Sequence, residues 1–179
     1  MELTSQQALP VPQLTAWEAL NDITMLQAAI PGCETIAPTE EHQYELAIMA
    51  AVGPVKARFK GKLRLEDIQP PQSYTIHFEG QGGAAGHGKG HATVRLEANG
   101  PNETILHYTA HATVGGKIAQ IGSRLVDMAA QKMATEFFTN LNEALVAKYG
   151  APETRPAPHA EPEGLIARFV AWLKKLLGS

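Results

Sequence analysis

The chain has 179 residues, of which 44% are hydrophobic and 18% are charged, and its formal net charge is −3. This composition predicts one globular domain with an apolar core, excludes a disordered or fibrous chain, and gives no reason to expect a nucleic-acid partner. The single cysteine, Cys33, excludes an intramolecular disulfide and a cysteine-rich zinc site, which favours a reducing cytoplasm.

The N-terminal segment predicts a strand followed by two short helices. Residues 2–9 alternate polar and apolar side chains, which indicates a strand and lacks the basic start and continuous apolar run of a secretory signal. Pro12 suits the first turn of a helix, because its missing N–H would have no partner there. The apolar face of that helix is predicted to consist of Leu14, Trp17 and Leu20. Asp22 is a good N-cap for a second helix, which Pro31 ends.

From about residue 33 to residue 114, the pattern indicates an antiparallel meander. Turns are predicted at residues 37–40, 52–54, 69–71, 82–90 and 99–102. Alternation with a period of two gives the strands one apolar inner face, which another element must cover. The inner set comprises Val55, Ala57, Phe59, Leu63, Leu65, Tyr74, Ile76, Phe78, Ala92, Val94, Leu96, Leu106, Tyr108, Ala110, Ala112 and Val114.

The opposite face carries a basic stripe, which consists of Lys56, Arg58, Lys60, Lys62 and Arg64. Alternating charge most often solubilises an exposed face, and the alternative is docking to anionic lipid or to a partner protein. The same outer surface is predicted to carry His77, His91, His107 and His111. No cysteine or carboxylate has a convincing spacing to these histidines, so no native metal is expected.

Apolar residues at helical spacing predict a long helix that covers the inner face and ends near Tyr149 and Gly150. Its apolar positions are Ile118, Ile121, Leu125, Met128, Met133, Phe137, Leu141 and Leu145. Residues 150–163 are rich in proline and alanine and predict an extended linker. The expected organisation is therefore a ligand-binding domain over 1–149, a linker over 150–163 and a separate helix over 164–179.

The C-terminal helix is predicted to be amphipathic. Its apolar side comprises Leu165, Ile166, Phe169, Val170, Trp172, Leu173, Leu176 and Leu177, whereas Lys174 and Lys175 face away. The segment is shorter than the roughly 20 apolar residues of a spanning helix, so we expect it to lie in the membrane interface with its lysines at anionic headgroups. The alternative is that it packs on its own domain or on a partner protein.

Three segments, VGPVKARFKG (52–61), GQGGAAG (80–86) and GGKIAQIGSRL (115–125), together resemble the carbon monoxide dehydrogenase G-subunit family. IPGC (30–33) and EFF (136–138) extend the resemblance over about residues 1–149. It implies an α+β, START-like (SRPBCC) helix-grip fold, in which a curved antiparallel sheet wraps a long C-terminal helix and an apolar cavity lies between them. The segment HGKGH (87–91) departs from relatives, which tend to be apolar there.

The resemblance also implies a non-catalytic accessory protein of the aerobic molybdenum-containing CO dehydrogenase or a related hydroxylase. The metals of that enzyme would lie in its other subunits, and the accessory protein is linked to membrane attachment and to the handling of quinone. The expected ligand is an apolar quinone, another isoprenoid or a lipid, bound non-covalently. The expected location is cytoplasmic, on the inner face of the cell membrane.

The predicted pocket lining consists of Phe59, Phe78, Tyr108, Ile121, Leu125 and Met128. The hydroxyls of Tyr44, Tyr74 and Tyr108 either reach a quinone carbonyl or are satisfied within the core. The glycines of residues 80–90 do not fit a phosphate loop, and either they allow close packing or they form a mobile pocket entrance. Two other functions stay open, a recruitment factor without ligand and a cyclase- or dehydratase-type enzyme, which would need a buried acid or base facing the cavity.

Overall fold

The structure is a computed structural model, and it describes residues 1–150. The predicted linker and the C-terminal helix over 164–179, with all its proposed membrane-binding residues, lie outside the described residues. The strands are β1 (Glu2–Leu9), β2 (Cys33–Glu40), β3 (Gln43–Val52), β4 (Val55–Gln69), β5 (Ser73–Gln81), β6 (His87–Ala98) and β7 (Thr104–Gly115). The helices are α1 (Gln13–Leu20), α2 (Ile23–Ala29), α3 (Lys117–Gln120) and α4 (Ser123–Tyr149), and a 3₁₀ turn spans Gly83–Ala85.

All seven strands form one antiparallel sheet in the order β1-β7-β6-β5-β4-β3-β2. The six strands from β2 to β7 form the predicted meander, and β1 pairs with β7 because the chain returns to its starting edge. The two short helices connect β1 to β2, and the long helix α4 follows the last strand. This confirms the predicted α+β architecture of a curved sheet, two early helices and a long C-terminal helix.

The alternation of faces is confirmed along β4, where apolar residues are partly buried and the basic residues between them are exposed. The main core lies where α1, α2 and the C-terminal half of α4 cover the inner face of the sheet. Its buried members include Leu9, Ala16, Leu20, Tyr74, Val94, Leu96, Leu106, Leu141 and Leu145. Thr104 is fully buried among them, and its hydroxyl donates to the carbonyl oxygen of Val11 at 2.8 Å.

Asp22 caps α2 as predicted, because its carboxylate accepts from the N–H of Thr24 at 2.8 Å. The predicted apolar face of α1 is wrong in part. Leu14 is 59% exposed, whereas Ala16, Ala19 and Leu20 are buried. The sheet contacts the small-residue side of α1, since alanines allow a closer approach than leucine does.

Three predicted boundaries are also wrong. The turn predicted at 82–90 ends earlier, because β6 begins at His87. The long helix does not run unbroken from Ile118, because Gly122 adopts φ +101° and separates α3 from α4. A left-handed backbone of this kind suits glycine and ends a helix. The turn predicted at 37–40 lies further on, since β2 continues to Glu40 and His42 makes the turn at φ +59°. Pro38 is tolerated in β2 because this strand is at the edge of the sheet.

Candidate functional site

The inner face of the sheet is covered unevenly along its strands. Tyr74 and Leu106 lie in the main core and are 4% and 2% exposed. Further along the same strands, the inner-face residues Phe78, Ala92 and Ala110 are only partly buried. The inner face in this second half is therefore less covered than the main core, and we call this apolar region, beside the N-terminal half of α4, the cleft.

Phe59 and Phe78 lie in this half, and two glycines, Gly82 just after β5 and Gly90 on β6, make room for their rings. A Cβ atom on Gly82 would lie 2.4 Å from Cε1 of Phe59, and one on Gly90 would lie 2.8 Å from Cζ of Phe78. Each ring therefore occupies the space that a side chain would otherwise take.

Tyr108 lies at the border between the main core and the cleft. Its ring stacks on Phe138 of α4, with 5.4 Å between ring centroids and an interplanar angle of 26°. Tyr74 lies deeper, in edge-to-face contact with Trp17 at 5.4 Å, and burial raises its pKa well above the usual range of a phenol. Tyr74 therefore belongs to the core, while Tyr108 remains partly accessible at the cleft.

The three predicted lining residues from the helical segment are less buried than the phenylalanines of the sheet suggest for a closed core. Ile121 is partly buried, whereas Leu125 is 41% exposed and Met128 is 56% exposed. Ile121 and Leu125 both face the β3–β4 hairpin, because a Cβ atom on Gly53 would lie 3.4 Å and 3.6 Å from their Cδ1 atoms. The six predicted lining residues thus fall into two phenylalanines on the sheet, a tyrosine at the border of the core and three residues on the helical segment, of which Ile121 and Leu125 face the β3–β4 hairpin.

Of β3, the sequence pattern identified only Tyr44 as an inner-face residue and missed the two that follow it. Ile48 lies directly opposite Phe59 in the pairing of β3 with β4, and Leu46 of the same face is buried. The alternation of Tyr44, Leu46 and Ile48 in the sequence was a usable signal for this strand.

The glycine-rich turn packs closely against the segment that follows β7. Gly82 N–H donates to the carbonyl of Gly86 at 2.8 Å and closes the turn. A Cβ atom on Gly116 would lie 2.6 Å from the Cα atom of Gly86, and one on Gly86 would lie 2.2 Å from the carbonyl oxygen of Gly115. Of the two interpretations of these glycines, close packing therefore has direct structural support.

The outer face of the sheet carries a row of three histidines. His77, His91 and His111 are direct cross-strand partners, with ring centroids 6.1 Å and 5.2 Å apart. A carboxylate oxygen of Glu66 lies 2.9 Å from Nε2 of His77, and a carboxylate oxygen of Glu2 lies 3.4 Å from Nδ1 of His111. These histidines border a surface trough of about 860 Å³. Within residues 1–150, no three His, Cys, Asp or Glu side chains are grouped so as to hold a metal ion.

The basic stripe of β4 is interleaved with acidic residues. Arg58 pairs with Glu34 at 3.1 Å, and Lys62 lies between Glu45 and Glu79 in the strand register. This pattern of alternating charge is typical of a solvated face. None of the helices in the described part of the chain is both long enough and apolar enough to cross a membrane.

Comparisons with known proteins agree with this architecture. A family model for the G subunit of carbon monoxide dehydrogenase (CoxG) matches residues 6–146. A conserved protein from Geobacillus kaustophilus, whose crystal structure is known, is 26% identical, with a TM-score of 0.78 over 83% of this chain and 97% of that chain. No curated protein matches this chain in sequence.

Two more distant structures are similar in fold alone. A START superfamily protein from Mycobacterium smegmatis is 12% identical, with a TM-score of 0.62 over 82% of this chain and 98% of that chain. The ZhuI aromatase/cyclase from Streptomyces sp. R1128 is 11% identical, with a TM-score of 0.59 over 80% of this chain and 92% of that chain. The predicted START-like fold is thereby confirmed.

Proposed function

Because the chain belongs to the carbon monoxide dehydrogenase G-subunit (CoxG) family, we propose that it is a non-catalytic accessory protein of a molybdenum-containing CO dehydrogenase or a related hydroxylase. In this proposal the cleft holds one quinone-like or lipid-like molecule. The C-terminal segment keeps the protein at the inner face of the cell membrane, where such molecules dissolve. The protein would then help a water-soluble oxidoreductase to exchange electrons with membrane quinone.

The observation that carries the proposal is the half-covered inner face. Phe59, Phe78 and Ala110 are only partly buried, although the same sheet has a well-packed core a few residues away. Apolar surface left open in a concave site is typical of a ligand pocket. Burial of about 300 Å² of such surface by an isoprenoid would contribute on the order of 7 kcal/mol before the cost of association.

The chemistry of the cleft supports binding rather than catalysis. Its sheet residues are aliphatic or aromatic, and the hydroxyls at its border are those of Tyr108 and of Tyr44, which lies in the same cross-strand row as Phe78. A phenol can donate a hydrogen bond to a quinone carbonyl, whereas a cyclase needs an acid or base with a tuned pKa beside the substrate. Likeness to an aromatase/cyclase at 11% identity concerns the fold alone.

The membrane part of the proposal rests on the sequence of residues 164–179. This segment combines apolar residues, Trp172 and two adjacent lysines in the pattern of an interfacial helix. Each large apolar side chain of the segment that leaves water contributes about 1.5 to 3 kcal/mol to membrane binding. Binding to a partner protein is the competing outcome.

The decisive experiment is native mass spectrometry of the full-length chain purified from membranes in mild detergent, followed by solvent extraction of its ligand. A stoichiometric quinone or other isoprenoid is the expected result. An empty protein that still floats with liposomes would leave only the recruitment function. A variant with Phe169→Glu and Trp172→Glu should stay with the liposome-free fraction, whereas Leu14→Glu, on exposed α1 surface, should still float.

A further inference from the structure

Large apolar side chains are exposed together at the N-terminal end of α4. Leu125 is 41% exposed and Met128 56%, and residues three apart lie on the same side of a helix. The β3–β4 hairpin meets Leu125 and the neighbouring Ile121, since a Cβ atom on Gly53 would lie 3.4 Å from Ile121 Cδ1 and 3.6 Å from Leu125 Cδ1. Single exposed apolar residues are common, but a contiguous group marks a binding surface. We call this group, Gly53, Ile121, Leu125 and Met128, the mouth of the cleft.

Positive charge flanks the mouth in a chain whose net charge is negative. The segments that form it, 50–60 and 115–132, contain six lysines and arginines but one acidic residue, Asp127. Two of these six cations pair with carboxylates outside the segments, Arg58 with Glu34 and Lys132 with Glu136. The other four, Lys56, Lys60, Lys117 and Arg124, are exposed and form no ion pair within residues 1–150. The whole chain has a formal charge of −3. Charge is therefore segregated toward the end of the molecule where the cleft opens.

We propose that the mouth is a second membrane-contacting surface, which rests on an anionic lipid bilayer separately from the C-terminal segment. Each lysine or arginine next to anionic headgroups raises partitioning about fivefold. Leu125 and Met128 leave water when they enter the acyl boundary. An acidic protein could satisfy the cations, but a bilayer also provides an apolar phase at the opening of an apolar cleft. The inference rests on the proposed function and deepens it, because it names the surface through which the ligand would pass.

The first test places an environment-sensitive fluorophore at the mouth of the full-length chain. In a Cys33→Ser background, Met128→Cys is labelled with NBD, and Leu14→Cys serves as the matched control because Leu14 is 59% exposed on α1. With vesicles of phosphatidylcholine and phosphatidylglycerol, emission at position 128 should shift to the blue while emission at position 14 stays unchanged. Vesicle flotation without a shift at position 128 would overturn the inference and leave the C-terminal anchor intact. A shift that requires the hydroxylase partner instead of vesicles would also overturn it.

The second test removes the charge at the mouth. Lys117→Gln combined with Arg124→Gln should weaken binding of the full-length chain to these vesicles by about 25-fold. Lys62→Gln combined with Lys89→Gln is the control, since it removes the same charge from two outer-face lysines that both lie beside Glu79. Equal losses of vesicle binding in the two variants, or no loss of binding in either, would contradict a specific role for the mouth. The amount of extracted ligand, measured in parallel on the unmodified chain, reports on the carrier proposal independently.

Discussion

The side chain of Lys148 joins the last turn of α4 to the start of α2, with its Nζ atom 3.0 Å from Oδ2 of Asp22. The other carboxylate oxygen of Asp22 caps α2 by accepting from the N–H of Thr24 at 2.8 Å. At the far end of α2, Asn140 Nδ2 donates to the carbonyl of Ala29 at 3.2 Å. The short helix α2 is therefore fastened to α4 at both ends, and this holds the covered half of the sheet in place.

Two substitutions at Asp22 should separate the contribution of the helix cap to stability from that of the ion pair. Asp22→Ala removes both and should lower the free energy of unfolding by about 1 to 2 kcal/mol. Asp22→Asn keeps an N-cap acceptor and loses only a surface ion pair, which contributes at most about 1 kcal/mol. Urea denaturation followed by circular dichroism measures both variants. Equal losses in the two variants would show that the cap contributes nothing.

The same ion pair predicts a dependence of stability on pH. The hydrogen bond from Lys148 lowers the pKa of the Asp22 carboxyl below its usual value of 3.8. Since the folded state holds the carboxylate ionised, the contribution is present at pH values above 3.8 and is lost as the pH falls through the lowered pKa. The pKa of Lys148 is raised, mainly by its hydrogen bond to Asp22, so its contribution is present below its usual 10.5 and is lost as the pH rises beyond that value.

The measurement is the difference in unfolding free energy between the unmodified chain and Asp22→Asn across the pH range. This difference should be constant near neutrality and should shrink in acid. A difference that grows in acid would have the wrong sign for a lowered carboxyl pKa.

Substitution by alanine should change the stability of the protein differently at two strand glycines, Gly90 and Gly80. A Cβ atom on Gly90 would lie 2.1 Å from the carbonyl oxygen of His111 and 2.8 Å from Cζ of Phe78, whereas one on Gly80 meets nothing within 4 Å. Gly90→Ala must separate β6 from β7 and should cost about 2 kcal/mol or more. Gly80→Ala should change stability by less than about 1 kcal/mol. Thermal denaturation of both variants checks this, and similar melting temperatures would contradict the packing of Phe78 against Gly90.

The two faces of the sheet could be predicted because polar and apolar residues alternate along each strand. Along β4, each basic residue points outward and each apolar neighbour inward, as the sequence indicates. The same alternation put the three histidines on one outer surface, and the strand register makes them direct neighbours. The break at Gly122 could not be predicted, since Ile118, Ile121 and Leu125 continue the helical spacing across it.

The candidate site could be predicted only in part. The pattern identifies Phe59 and Phe78 as inward residues, but it gives no measure of how far α4 covers them. That cover depends on packing between distant segments, such as the stacking of Tyr108 on Phe138 and the approach of Ile121 to Gly53. The depth of the cleft is therefore a tertiary property, which no local periodicity contains.

An inner-face alanine offers a test of the cleft that leaves its aromatic residues intact. Ala110 of β7 pairs with Ala92 and Leu3 and is partly buried on the inner face, while its neighbour Thr109 faces outward. In an open cleft, Ala110→Phe should expel the bound apolar molecule while the free energy of unfolding changes by less than about 1 kcal/mol. In a closed core the same change would overpack the site and cost about 1 to 3 kcal/mol.

Mass spectrometry after solvent extraction measures the bound ligand, and urea denaturation measures the free energy of unfolding. The control is Thr109→Phe, which should keep its ligand because its ring lies on the outer face. If Ala110→Phe retains as much ligand as Thr109→Phe does, the molecule does not lie between the sheet and α4, and the carrier function would have to rest on another part of the chain.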